Sequence, residues 1–193
     1  MKRIVVVLGM GRSGTSLACQ ALAQMGVSFG GPLLGANENN ERGHWEHIPI
    51  KNAQVRLCQE YFGVSGWLTR STIRDPGPCS YEEQLLEIVR AEVQRWPLFG
   101  FKDPMTARLL PLWQRVFHRL ELEPVYVKCL RSVEAIHASL CRALPGQNVE
   151  FKSVQEIWAI YKDALDSVPG AAINFDAWRS FDFYEPELCH AGA

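Results

Sequence analysis

The chain has 193 residues, of which 47% are hydrophobic and 21% are charged, and its formal net charge is -1. This length and composition are typical of one globular domain with a hydrophobic core, so we expect residues 1–193 to form a single domain. The balanced charge provides no basic excess for nucleic acid or an anionic membrane surface, and no apolar stretch is long enough to span a bilayer.

The cysteine pattern predicts a reducing compartment. None of the six cysteines forms a C-x-x-C pair, and the spacing of the histidines gives no zinc site. Several cysteines stand in apolar runs, where a buried, reduced thiol is expected. The apolar run at the amino terminus is too short for a signal peptide. We therefore predict a cytoplasmic protein with reduced thiols at Cys19, Cys58, Cys79, Cys129, Cys141 and Cys189.

Up to residue 63 the sequence predicts one strand and two helices. A β-branched run at 3–9 is typical of a strand buried on both faces. Apolar residues at helical spacing follow over 15–26, with Gly26 as the C-cap. A loop rich in Gly, Asn and charge is expected over 30–47, and a second helix over 49–63.

The rest of the chain alternates between helical and strand patterns. After a loop at 70–80, Ser80 and Glu83 form a capping box for an amphipathic helix. Alternating strands and helices predict an α/β domain with a parallel sheet covered on both faces, and such sheets bind ligands at the carboxyl ends of their strands. The predicted elements are helix 80–96, strand 97–104, helix 105–120 broken near Pro111, strand 123–132, helices 132–144 and 153–168, and strand 170–178.

The first strand leads into a glycine-rich turn, VVVLGMGRSGTS at 5–16. Gly9 and Gly14 have the spacing of a phosphate-binding P-loop, G-x-x-x-x-G-K-[ST]. Such a turn directs backbone N–H groups inward, and the next helix adds its positive amino end. We therefore expect a bound phosphate-like oxyanion, held by the side chains or backbone of Arg12, Ser13, Gly14, Thr15 and Ser16.

The loop lacks the lysine of a P-loop. Thr15 stands at that position, whereas a loop that hydrolyses a triphosphate needs a lysine on the β- and γ-phosphates and a hydroxyl on magnesium. This favours an anion that requires no metal. Ser16 can still bind magnesium, so a P-loop kinase of a small molecule stays open as an alternative.

A second anion site is predicted beyond the strand at 123–132. Arg131 lies at the end of this strand, and Ser139 lies in the following helix. Because eight residues make slightly more than two helical turns, the Ser139 hydroxyl can return to the side of Arg131. An arginine and a hydroxyl that converge there can hold a separate phosphate, and Arg142 can add charge.

Together these segments resemble the sulfotransferases that use 3′-phosphoadenosine 5′-phosphosulfate (PAPS). The likeness covers most of residues 3–143 in order and implies a P-loop NTPase-like three-layer α/β/α fold with a central parallel sheet. The matching segments are GMGRSGTSL for the 5′-phosphosulfate loop, LRSVEAIHASLCR for the 3′-phosphate motif, ENNERGHWEH and FGFKDPMTARLLPLW for two bacterial-type segments, and, more faintly, INFDAW for a late strand motif.

The resemblance implies transfer of a sulfuryl group from PAPS to a hydroxyl or amine of a small-molecule, glycan or lipid acceptor. The product is adenosine 3′,5′-bisphosphate (PAP), and no metal is required. Residues 13–16 then hold the 5′-phosphate, while Arg131 and Ser139 hold the 3′-phosphate. Arg12 stabilises charge on the leaving phosphate oxygen.

The acceptor hydroxyl also needs a base. Glu46 matches the glutamate of the family segment and is preferred, with His44 second. Lys102 is expected to contact the sulfuryl group or the acceptor, and Asp103 to cap the next helix. A catalytically silent nucleotide-binding protein is the remaining alternative.

Overall fold

A four-stranded parallel sheet forms the centre of the protein. In the computed structural model, which describes residues 1–37, 40 and 43–178, the strands are β1 (Lys2–Leu8), β2 (Phe99–Lys102), β3 (Leu122–Leu130) and β4 (Ala171–Asn174). Their order across the sheet is β2-β1-β3-β4, and every neighbouring pair is parallel. The predicted α/β class and parallel sheet are confirmed.

Helices connect the strands. Their bounds are α1 (Thr15–Gln24), α2 (Ile48–Phe62), α3 (Ser80–Arg95), a 3₁₀ turn (Pro104–Leu109), α4 (Leu110–Arg119), α5 (Val133–Ala143), α6 (Phe151–Asp166) and α7 (Phe175–Trp178). No helix among these described residues is long and apolar enough to cross a membrane.

The central strand β1 separates two hydrophobic cores. Its side chains Ile4, Val6 and Leu8 belong to the larger core, which also contains residues of α2 to α6. Val5 and Val7 belong to the smaller core with residues of α1. Because successive side chains of a strand point to opposite faces, the continuous apolar run of β1 fills both cores. Helices on both faces are compatible with a three-layer α/β/α arrangement.

Several predicted boundaries differ from the structure, and two of the differences have a clear local cause. The helix α3 begins at Ser80, its N-cap is Cys79, and no side chain caps it, so the expected capping box does not form. The last strand ends at Asn174 and not at 178, because Asn174 Oδ1 accepts hydrogen bonds from the N–H groups of Asp176 and Ala177 and turns the chain into α7. Residues 179–193 lie outside the described residues.

The break expected near Pro111 is present. The 3₁₀ turn over Pro104–Leu109 precedes α4, and Pro111 stands in the first turn of α4, where its missing N–H costs no helical bond.

The sheet topology brings two loops to one place. The strands β1 and β3 are neighbours and end together, with Leu8 opposite Lys128. Helix α1 follows β1 onto the smaller core, whereas α5 follows β3 onto the larger core. The chain therefore leaves these strands on opposite faces, which opens a crevice between their carboxyl ends, where ligands of α/β sheets bind.

The larger core makes a simple stability prediction. Leu85 in α3 is fully buried, so Leu85→Ala is expected to lower the free energy of unfolding by about 2–5 kcal/mol, through lost apolar burial and a residual cavity. Urea denaturation measures this change. The matched control is Leu68→Ala, since Leu68 is 37% exposed and should lose less than about 1 kcal/mol. Equal losses for the two variants would contradict the assigned core.

Candidate functional site

The glycine turn after β1 is a tight loop with two left-handed residues. Arg12 has a φ of 71° and Gly14 a φ of +87°. The N–H and the hydroxyl of Ser13 both donate to the carbonyl of Met10, at 3.2 and 2.6 Å. The Ser13 hydroxyl is therefore used inside the loop, and Ser13 is not among the residues that line the cavity; its role as an anion ligand stays a prediction.

The turn opens directly into the amino end of α1. Gly14 is the N-cap residue of this helix, and no side chain caps the first turn. The free amide groups and the positive end of the helix dipole therefore lie at the cavity that Gly14, Thr15 and Ser16 line. The Ser16 hydroxyl donates to the carbonyl of His44 at 3.2 Å and accepts from Asn40 Nδ2 at 3.3 Å.

The two segments predicted to bind anions are in direct contact. Arg131 Nη1 donates to the carbonyl of Arg12 at 2.9 Å, and Arg12 Nε donates to Ser139 Oγ at 3.0 Å. Arg131 and Ser139 are both buried, and both line the same cavity as the glycine turn. The structure thus brings the carboxyl end of β3, the helix α5 and the turn after β1 together.

Positive charge is concentrated at this contact. Burial lowers the pKa of Arg12, and the nearby charges of Arg131 and Arg142 lower it further. Like charges gathered in a partly buried place favour an anion as ligand. Arg142 itself is exposed and does not line the cavity, so the structure brings its charge near the site but not its side chain into it.

A buried ion pair forms the opposite wall. Lys102 Nζ donates to Glu46 Oε1 at 3.0 Å and to the carbonyl of His44 at 2.8 Å. Lys102 and Glu46 are both buried, and Lys102 is the last residue of β2. Since Lys102 reaches the loop that carries His44 and Glu46, it fixes this loop across the mouth of the sheet.

His44 is one of the residues that line the cavity, and it is half-buried. Its Nε2 atom is shielded from solvent and has no hydrogen-bond partner among the described residues. Burial lowers the pKa of His44; Glu46 opposes this shift, while Lys102 and Arg12 add to it. A neutral imidazole at neutral pH can accept a proton.

Asp103 caps the 3₁₀ turn, as predicted. Its Oδ1 accepts a hydrogen bond from the N–H of Met105 at 2.7 Å. Burial, together with the negative charge of Glu46, raises the pKa of Asp103 to about 7. Burial therefore favours the protonated form of this carboxyl, which lies beside the Lys102–Glu46 pair.

The cavity between these walls has a volume of about 280 Å³. This is close to the lower end of small-molecule sites, roughly 300–1,000 Å³. Its lining residues are Gly11, Arg12, Gly14, Thr15, Ser16, Leu17, Gln20, Asn40, His44, Glu46, Trp67, Lys102, Pro104, Arg131, Ser139 and Phe175.

Two aromatic rings, those of Trp67 and Phe175, flank the glycine turn. A Cβ on Gly11 would lie 2.3 Å from the Trp67 ring, and one on Gly14 would lie 2.0 Å from the Phe175 ring. Only glycine permits such close packing at these positions. From the sequence, Trp67 is one of four tryptophans, with Trp96, Trp113 and Trp158, that are expected in the core or in a pocket wall and of which any could stack on adenine; spacing does not select one of them. Phe175 is not singled out by the sequence analysis. Phe175 belongs to the INFDAW segment and follows the carboxyl end of the last strand. Because parallel sheets bind ligands at the carboxyl ends of their strands, this position does indicate a ligand site.

The site fits a phosphate-bearing ligand by its chemistry. Two buried or half-buried arginines, one serine hydroxyl and the uncapped start of α1 are all hydrogen-bond donors that face one cavity. The described aromatic rings add flat apolar surface next to these donors.

Comparison with known proteins adds no family: no protein-family model matches this chain, and no curated protein is significantly similar to it.

The raised pKa of Asp103 predicts a pH-dependent stability. Between about pH 4 and pH 7 the unfolded chain loses the Asp103 proton while the folded protein keeps it, so stability is lost as pH rises through this window. Asp103→Asn keeps an oxygen for the Met105 N–H and cannot ionise. The free energy of unfolding of the parent relative to Asp103→Asn should therefore fall from pH 4 to pH 7 and then level off. Urea titrations at several pH values measure it, and a pH-independent difference would contradict the assignment.

Proposed function

We propose that this protein is a sulfotransferase that transfers the sulfuryl group of PAPS to a hydroxyl or amine of a small-molecule, glycan or lipid acceptor. The observation that carries the proposal is the contact between the two segments. Arg131 and Ser139 meet Arg12 at the edge of one cavity, at 2.9 and 3.0 Å. A nucleotide with phosphates on both sides of its ribose is the ligand that such a paired arrangement fits.

Each end of the nucleotide has its own group of donors. The first turn of α1, with Thr15 and Ser16, supports binding of the 5′-phosphate. Arg131 and Ser139 support binding of the 3′-phosphate, which distinguishes this donor from ATP. The adenine has aromatic partners nearby in Trp67 and Phe175, because stacking on a ring holds a base without a specific hydrogen-bond pattern.

The chemistry supplied by the donor is a sulfuryl group on a good leaving group, the 5′-phosphate oxygen. As the bond from sulfur to that oxygen breaks, negative charge grows on the oxygen. The Arg12 guanidinium and the amide groups at the start of α1 stabilise this charge. Arg12 does not donate a proton, since a guanidinium stays charged. Its role is electrostatic.

The proton of an acceptor hydroxyl needs a place to go, and the geometry favours His44 over Glu46. Glu46 forms an ion pair with the buried Lys102 at 3.0 Å, so its carboxylate is already engaged by a cation. His44 is one of the residues that line the cavity, its Nε2 has no partner among the described residues, and burial lowers its pKa. We therefore assign the base to His44. In this assignment Glu46 orients Lys102, and Lys102 contributes positive charge near the transferred group.

The two alternatives make different predictions for the same loop. A P-loop kinase needs a lysine beside the phosphates, and Thr15 stands there. Its ATP binding would depend on magnesium. A silent nucleotide-binding protein would bind PAP and transfer nothing. Cytoplasmic localisation and the absence of a nucleic-acid partner stay predictions.

Nucleotide binding is the first test. The protein is expected to bind PAP in calorimetry without magnesium, and Arg131→Ala is expected to weaken this binding by a factor of about 10–100, since a charge-assisted hydrogen bond contributes about 1.5–3 kcal/mol. The matched control is Arg70→Ala, which removes an exposed arginine that pairs with Glu156. No PAP binding at millimolar concentration, or equal affinity of Arg131→Ala and the parent, would overturn the assignment.

The base is tested by transfer of labelled sulfate from PAPS to a panel of sugars, alcohols, phenols and amines. On the best acceptor, His44→Asn should lower turnover by about 10²-fold or more, a typical loss for a general base. The affinity for PAP should stay within twofold. Glu46→Gln is expected to lose less, and His118→Asn, on an exposed part of α4, should lose nothing. A larger loss for Glu46→Gln than for His44→Asn would return the role to Glu46.

A further inference from the structure

The short segment after β4 holds a carboxylate against Arg131. Asp176 Oδ1 accepts a hydrogen bond from Arg131 Nε at 3.2 Å, and its Oδ2 accepts one from the backbone N–H of Ser132 at 2.8 Å. The Asp176 backbone is itself fixed, because its N–H donates to Asn174 Oδ1 at 3.0 Å. The carboxylate therefore has a defined position relative to the end of β3.

Arg131 is restrained from three sides. Asp176 contacts Nε, the carbonyl of Arg12 contacts Nη1, and the ring of Phe175 lies 4.9 Å from the guanidinium carbon. A guanidinium is planar, so contacts at two of its nitrogens and one on its face fix the direction of all its N–H groups. A preoriented arginine loses less entropy when it binds a phosphate than a mobile one does.

The carboxylate acts from outside the cavity. Arg131, Phe175 and Ser139 line the cavity, whereas Asp176 does not. Burial raises the pKa of Asp176, but hydrogen bonds from Ser132 and Arg131 outweigh this effect and lower the pKa overall, so the group is charged at neutral pH. The negative charge of Asp176 at Arg131 Nε also reduces the repulsion between Arg131 and Arg12.

We infer that Asp176 is a positioning residue, which acts through Arg131 to set the preference of this site for a nucleotide with a second phosphate on its ribose. The inference rests on the proposed PAPS site, because Arg131 is assigned there to the 3′-phosphate. It adds a residue outside the cavity that determines how well the 3′-phosphate is distinguished from a bare hydroxyl.

A purely structural role is disfavoured by exposure. The Asp176 side chain is 37% exposed, and without it the buried Arg131 keeps its contacts with the Arg12 carbonyl and the Phe175 ring. Its removal should therefore leave the fold intact. The effect should appear where the orientation of Arg131 matters, in the affinity for the phosphate that Arg131 binds.

The experiment compares two nucleotides that differ only in the 3′-phosphate. Calorimetry gives the dissociation constants of PAP and of adenosine 5′-monophosphate (AMP) for the parent, Asp176→Ala, Asp176→Asn and Asp176→Glu. The selectivity, the ratio of the AMP to the PAP constant, is expected to fall by roughly five- to tenfold in Asp176→Ala, on the scale of one weakened charge-assisted hydrogen bond. The AMP affinity should change less than twofold. Asp176→Glu should recover part of the selectivity.

The matched control is Asp75→Ala. Asp75 resembles Asp176 in its contacts: it pairs with an arginine, Arg115, accepts a backbone N–H, from Gly77, and has a side chain that is 40% exposed. It lies outside the cavity lining, so its removal should leave the selectivity unchanged. Thermal unfolding confirms that each variant is folded. Should Asp176→Ala fail to fold, Asp176→Asn tests the same charge with the same shape.

Three outcomes would overturn the inference, and they are distinguishable. If Asp176→Ala binds both PAP and AMP as tightly as the parent does, Asp176 is not a positioning residue and the proposed function stays intact. Equal losses of PAP and AMP affinity show a structural role only, again without effect on the proposed function. A parent protein that binds PAP no better than AMP removes both the inference and the 3′-site on which it depends.

Discussion

The contact between Arg131 and the carbonyl of Arg12 connects the two halves of the site. It joins the turn after β1 to the end of β3, which are 119 residues apart in the chain. The contact forms because β1 and β3 are adjacent parallel strands that end together. If the strand order differed, the two arginines would lie at separate edges and the cavity would have only one basic wall. The pairing of β1 with β3 is therefore the constraint on which the site depends.

The cost of this arrangement lies in its electrostatics. The guanidinium groups of Arg12 and Arg131 lie close enough to repel each other, in a place where burial disfavours charge. Both effects lower the pKa of Arg12. Opposite charge is supplied on two sides: Asp176 pairs with Arg131, and Glu46 pairs with Lys102 on the facing wall. In each pair the carboxylate is hydrogen-bonded to the cation and holds it at the cavity. The positive groups are thus kept in place without a ligand, and a bound anion adds to a network that is already ordered.

The sequence predicts the parts of this site that follow from local pattern. A β-branched run before glycines at P-loop spacing identifies β1 and its turn, and the interval from Arg131 to Ser139 identifies two groups on one side of α5. Both patterns depend on residues close in sequence. Trp67, which the sequence does not separate from the other tryptophans, and Phe175, which was missed, reach the turn from segments far away in the chain, so only tertiary packing brings them close. At Ser13 the difference is local, since its hydroxyl donates to the carbonyl of Met10, three residues earlier in the same turn.

The left-handed backbone at Arg12 has a consequence for how the turn presents its charge. A residue with a side chain resists a φ of 71°, at a cost of roughly 1–3 kcal/mol, and glycine would adopt it more easily. Glycine, however, has no guanidinium to reach Ser139. Arg12 adopts an unfavourable backbone torsion, and in this conformation its guanidinium extends from the turn toward Ser139. The contacts that Arg12 and its neighbours make must offset this torsional cost. The backbone angle at Arg12 therefore indicates that the surrounding residues hold the turn tightly.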